Sequence, residues 1–154
     1  MKRRTFLKGT VASGMVGMAV SAGLLTPRAV LAAWPESSFS AKSVDGALKA
    51  LLGSSSITPN ADIKIKAPDI AENGAVVPIT ISTSMSGVES ITVMVEKNPQ
   101  PLACNFNLAS NTEGFISTRV KMGKTSDLIA VVKAGGKLHS AKKTVKVTIG
   151  GCGD

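Results

Sequence analysis

Few side chains in this sequence can do chemistry. The thiols are Cys104 and Cys152, and the one imidazole is His139. Cys152 lies in Gly150-Gly151-Cys152-Gly153-Asp154, directly after the last strand-like pattern. A Gly pair holds no fixed conformation without outside help, because glycine gives up the most conformational freedom on ordering. The stretch is tethered on one side. The expectation is a slender, mobile arm of residues 150–154, with Gly150, Gly151 and Gly153 as its flexible links and the Cys152 thiol as its reactive group. Such an arm can enter a narrow channel of another protein. A thiol offered this way suits covalent carriage, in which a group is attached in one active site and released in another. Asp154 and the terminal carboxylate disfavour the thiolate, and no local Lys, His or helix N-terminus offsets them. Activation is therefore expected from a partner enzyme's site. The competing readings are an incidental Cys in a disordered tail, a disulfide to Cys104, or a disulfide to another chain.

Other chemistries lack their residues. One His and two Cys do not build a multi-ligand zinc site or a Ser-His-Asp triad of the usual kind. A blue-copper site needs two His. No metal centre, no cofactor and no catalytic residue is expected, and a weaker metal contact through Cys152 is the alternative left open. The spacing of Cys104 and Cys152 fits no CxxC motif. Cys104 shares strand parity with Phe106 and reads as a buried, inert thiol. His139, between polar neighbours, reads as exposed or locally hydrogen-bonded. Met85, Met94 and Met122 read as core filler or partner surface. Lys137, Lys142, Lys143 and Lys146 read as one solvated strand face. The Gly pair is followed by Cys152, which excludes a carrier that uses a free C-terminal Gly-Gly.

The net charge of +8 is misleading. Residues 1–33 contain Lys2, Arg3, Arg4, Lys8 and Arg28 and no acidic residue. Without them the balance is 13 basic against 10 acidic residues, so nucleic-acid binding loses its electrostatic footing. Tyr is absent and Trp occurs once, which argues against a base-stacking platform. The same segment has the order of an export signal, placed at residues 1–32. A basic start is followed by an apolar, Gly- and Ala-rich stretch from Gly9 to Leu25. Pro27 and the small-residue site Val30-Leu31-Ala32-Ala33 come next. The apolar stretch is short and diluted for a membrane span. Arg3-Arg4-Thr5-Phe6-Leu7-Lys8 resembles the twin-arginine export motif, with Lys2 where Ser or Thr is usual. That resemblance implies export of a folded protein to the bacterial periplasm, with no membrane attachment after cleavage. Folded export suits a chain that must first acquire a cofactor or a partner lacking its own signal.

The remaining chain, residues 33–149, reads as one β-sandwich domain. Trp34 to Lys42 reads as an irregular lead-in. Val44, Ala47, Leu48, Leu51 and Leu52 recur at helical spacing, with Ser43 to cap the helix and Gly53 to end it. Gly46 weakens that helix. The period then changes to two, in runs around Ile63, Val77–Ile81, Ile91–Val95, Cys104–Leu108, Ile116–Met122 and Val145–Ile149. Leu128 to Lys133 is a short and almost wholly apolar run, and Gly135-Gly136 is a hairpin turn. About seven short strands with one N-terminal helix predict an all-β, immunoglobulin-like antiparallel sandwich. Phosphate loops, dinucleotide fingerprints and βαβ alternation are missing from the pattern.

The ending Val-Thr-Ile-Gly-Gly-Cys-Gly resembles that of SoxY, the carrier family of the periplasmic thiosulfate-oxidising Sox system, whose tail is Gly-Gly-Cys-Gly-Gly. Further likeness lies in Ala67-Pro68-Asp69-Ile70-Ala71-Glu72-Asn73-Gly74, Val77-Pro78-Ile79, Glu96-Lys97-Asn98-Pro99-Gln100-Pro101-Leu102, Ser117-Thr118-Arg119-Val120-Lys121 and Val145-Lys146-Val147-Thr148. Asp154 departs from the family's Gly and adds a charge at the tip. The resemblance implies an immunoglobulin-like fold and a heterodimer with SoxZ, which lacks a signal of its own. It implies that Cys152 is the covalent attachment point for sulfur compounds. A haem-containing SoxAX enzyme would load thiosulfate, SoxB would hydrolyse off sulfate to leave a persulfide, and the chain itself would not be the catalyst. A SoxZ-like partner would also cover the exposed edge strands of such a sandwich.

Overall fold

The segment after Pro35 departs from the irregular lead-in expected of it. In the computed structural model, which describes residues 35–148, it forms a short helix, α1 (Glu36–Ser40). Phe39 packs there against a buried hydrophobic cluster, so tertiary packing overrides a weak local signal. The next helix, α2 (Val44–Leu52), follows its sequence signals closely. The Ser43 hydroxyl accepts from the Gly46 N–H at 3.1 Å, and Gly53 closes the helix at φ +76°. Gly46 has a positive use here, because a Cβ at that position would stand 2.9 Å from the capping hydroxyl. Residues 1–34 and 149–154 lie outside the described residues. So do the readings placed on Arg3, Arg4, Gly150, Gly151, Cys152 and Gly153.

Nine strands follow among the described residues: β1 (Thr58–Pro59), β2 (Ile63–Lys66), β3 (Ile70–Ala71), β4 (Val77–Thr83), β5 (Val88–Val95), β6 (Leu102–Asn107), β7 (Phe115–Val120), β8 (Ser126–Ala134) and β9 (Lys137–Val147). Seven correspond to the alternating or apolar runs in the sequence. The two extra strands, β1 and β3, are two residues long, and β1 contains Pro59. Pieces this short have no periodicity to read, and both exist by pairing in parallel with β9. The larger sheet has the order β1-β9-β8-β5-β6, with β3 also on β9; the smaller one has the order β2-β4-β7. Gly135 and Gly136, at φ +56° and +72°, make the tight turn between β8 and β9. The result is the immunoglobulin-like sandwich that the sequence predicts.

The sandwich core joins Ile79, Ile81, Ile91, Val93, Val95, Leu128, Ala130, Val132 and Val145 across the two sheets. A second cluster lies on the opposite face of the larger sheet, where Ala47 and Leu48 of α2 meet Met94, Leu102, Ile129, Val131 and Leu138. The central strands are therefore covered on both sides. Only Glu89 is exposed along β5, and no residue of β8 is. This double cover explains why residues 128–132 form a continuous apolar run instead of alternating.

The β5–β6 pair contains a bulge. Val93 faces Cys104 and Met94 faces Leu102, which leaves Ala103 as the extra residue. The bulge inverts the alternation of β6, so Leu102 joins the cluster beneath α2 while Cys104 and Phe106 pack against the sandwich core.

Candidate functional site at the root of the C-terminal arm

The pairing of β9 with β8 ends at Val145 opposite Ser126. Three more described residues lead towards the tail, and each backbone N–H has a partner. Lys146 donates to the Asp69 carbonyl at 2.9 Å, and Thr148 donates to the Ala71 carbonyl at 3.1 Å. Val147 donates to the Thr125 hydroxyl at 3.0 Å. That hydroxyl also donates to the Val147 carbonyl at 3.5 Å, and the Thr148 hydroxyl donates to the Ala71 carbonyl at 3.4 Å. One flank of the strand end is thus held by β3 and the other by a single side chain.

The β3 flank is itself tied down. Lys143 Nζ donates to the Ala67 carbonyl at 2.8 Å and pairs with the Asp69 carboxylate at 3.0 Å. The Asp69 side chain is 90% exposed, so the pair contributes position more than stability. Gly74 lies across the side chain of Val147. A Cβ at Gly74 would press on the Met122 carbonyl oxygen and stand 2.7 Å from Val147 Cγ1. The Gly74 carbonyl accepts from the Met122 N–H at 2.7 Å. Only glycine permits this closeness.

Among the described residues this clasp holds no thiol, and what it does is fix where the chain leaves the sandwich and in which direction. Ile70 and Val76 stand 56% and 50% exposed on this part of the chain, with Ile70 opposite Lys146. Both are apolar surface that a bound protein would cover.

The remaining candidates are not brought together. Cys104 is a free thiol, half-buried instead of fully buried, and burial pushes its pKa up to about 11. His139 is half-buried on β9, between Thr58 and Val132. Strands β8 and β5 stand between it and the strand of Cys104, so the two form no catalytic pair. The four lysines do not share one face. Lys142 and Lys146 are exposed on one side of β9, whereas Lys137 and Lys143 have the parity of Val145. The period of two separates them, and Lys143 is engaged in the clasp. Met94 and Met122 are fully buried and Met85 is half-buried, as expected of filler.

Sequence reasoning missed Thr125, Asp69 and Ala71. Their partners are 22 and 77 residues away, so nothing local marks these contacts. It also missed an open hollow of about 510 Å³ between the stretches Ser82–Val88 and Ser110–Phe115, lined mainly by hydroxyls and by the half-exposed Phe115. Glu113 is the one titratable group on its wall.

The family model described as "Sulfur oxidation protein SoxY" matches residues 48–152. The chain belongs to the SoxY family. The match takes in the sandwich, the clasp and the tail cysteine. Among solved structures, the sulfur carrier protein SoxY from Chlorobium limicola f thiosulfatophilum aligns with 44% identity and a TM-score of 0.62. The alignment covers 68% of this chain and 96% of that one. A structure of the bacterial superantigen toxic shock syndrome toxin-1 aligns at 8% identity and a TM-score of 0.39, over 56% of this chain and 99% of that one, and no argument rests on it. No curated protein matches the sequence. The fold expected from the SoxY resemblance is the fold observed.

Proposed function

We propose that this SoxY-family chain is a covalent sulfur carrier that holds its cargo on the Cys152 thiol. What supports this most is that the family model runs through the sandwich to residue 152, the thiol itself. The clasp around Val147 adds physical support, because a carrier needs a fixed root from which a tether can work. In the loading step the thiol loses its proton, two electrons pass to an oxidising enzyme, and a bond forms between Cys152 sulfur and the outer sulfur of thiosulfate. Hydrolysis then releases sulfate and leaves a persulfide on the carrier. The oxidant and the hydrolase belong to separate proteins, of the SoxAX and SoxB types. A SoxZ-like subunit is the proposed stable partner. The proposed route is folded export through Arg3 and Arg4 to the periplasm.

Intact mass of the mature protein tests this reading, measured with and without thiosulfate and the loading enzyme, then with reductant. Wild type is expected to gain reductant-labile sulfur adducts and Cys152→Ser none. A fixed disulfide from Cys152 to Cys104, or to a second chain, that ignores thiosulfate would overturn it in favour of a structural sandwich.

A further inference from the structure

We propose that Thr125 is a positioning residue whose hydroxyl stands in for a missing strand and fixes the pivot of the carrier arm at Thr148. The proposal rests on the carrier reading for its purpose and on the clasp for its geometry. Beyond Ser126 and Val145, no strand among the described residues lies beside the edge of β9 that faced β8. The Lys146 and Thr148 amides turn towards β3, so by the alternation of a strand the Val147 amide and carbonyl turn the other way. Thr125 Oγ1 meets both groups, accepting at 3.0 Å and donating at 3.5 Å. A β-branched side chain suits this task because its χ1 is stiff. Thr125 is exposed, so it is not there to fill the core.

The location of the pivot sets the reach of the thiol. Four links from Thr148 to Cys152 span at most about 14 Å. If the hydrogen bonds of Lys146 and Thr148 to β3 open as well and the strand end frays back to Val145, seven links span at most about 24 Å. For an enzyme that also docks on the sandwich, a longer tether presents its thiol more dilutely, because effective concentration falls as roughly the −3/2 power of length. The expected cost is about a twofold rise in KM for the enzyme acting on the arm, with kcat unchanged.

Full-length Thr125→Val and Thr125→Ser test the proposal by amide hydrogen exchange and by steady-state loading kinetics. The valine variant is expected to exchange the Val147 and Thr148 amides about tenfold faster, the effect of one hydrogen bond on a local opening. Its Val145 amide should stay at the wild-type rate, and serine should restore all three. Inserting two glycines between Ile149 and Gly150 lengthens the tether without touching Thr125. It should reproduce the KM rise and leave the exchange unchanged. Wild-type exchange at Val147 and Thr148 in the valine variant would overturn the proposal. So would faster exchange with no change in KM, or a glycine insertion that leaves KM unchanged. Loading that persists in Cys152→Ser would sink the carrier reading instead, and leaves the exchange result to be judged by itself.

Discussion

Cys104 stands directly opposite Val93, across the bulge that turns β6 over. Without that bulge Cys104 would lie on the helix side with Leu102. With it, the thiol packs against the sandwich core and loses enough water for its pKa to rise to about 11. Burial is the cause, since the neutral thiol tolerates it and the thiolate does not.

Selective labelling follows from this. Near neutral pH the thiolate fraction of Cys104 should be about a hundredfold below that of an unperturbed thiol. A maleimide or iodoacetamide pulse on folded protein should modify Cys152 well before Cys104, and denaturation should equalise the two. Peptide mapping reads the outcome directly. The thiol's folded pKa lies above its free value of about 9, so its contribution to stability is complete below that pH and is lost as pH rises towards 11. Cys104→Ala should remove this alkaline component and leave sulfur loading intact.

Glu89 predicts an acid-side effect. It is the exposed residue at a second irregularity, between Val88 and Ser90, where β5 pairs with β8. Its carboxylate lies 2.7 Å from Lys133 Nζ and accepts the Gly136 N–H at 3.2 Å. The hydrogen bond from Lys133, then that from Gly136, hold its pKa below the usual carboxylate value. A lowered folded pKa means stability that is present above the unfolded pKa and lost as pH falls through the folded one. Melting temperatures of wild type and Glu89→Gln should therefore differ near pH 7 and converge on acidification below pH ~4. A constant difference across that range would show that the carboxylate's charge is not responsible.

Gly74→Ala should loosen the arm root. The added methyl would meet the Met122 carbonyl and stand 2.7 Å from Val147 Cγ1, and backbone cannot yield as a flexible side-chain end can. A cost of about 1–3 kcal/mol is expected from over-packing. It should appear as a lower denaturant midpoint with faster exchange at the Met122 and Thr148 amides. Unchanged stability would mean that residues 73–76 move aside freely.

Much of the fold was legible because it rests on local rules. Ser43 and Gly53 bound α2 by capping chemistry, and the β2, β4 and β7 runs alternate because one face is wet. Legibility failed where distant contacts decide. Nothing near Glu36–Ser40 announces a helix; it forms where Phe39 can pack against the cluster beneath α2. No periodicity near Ile70 announces a strand; only the family resemblance of residues 67–74 does, and the strand itself needs the edge of β9. The lysines of β9 looked like one group in sequence and are divided by the pleat.

The sequence by itself determined the family and the sandwich, and it supplied Cys152 as the proposed reactive group. Cys152 between glycines is a local fact, and hydrophobic alternation is a local consequence of which face meets water. Only the tertiary structure decided how the tail is held. Thr125, Ala71, Gly74 and Lys143 come to Val147 and its neighbours from separate parts of the chain, through sheet register and close backbone approach. Such contacts depend on three-dimensional coincidence, and side-chain type and spacing along the chain do not encode it.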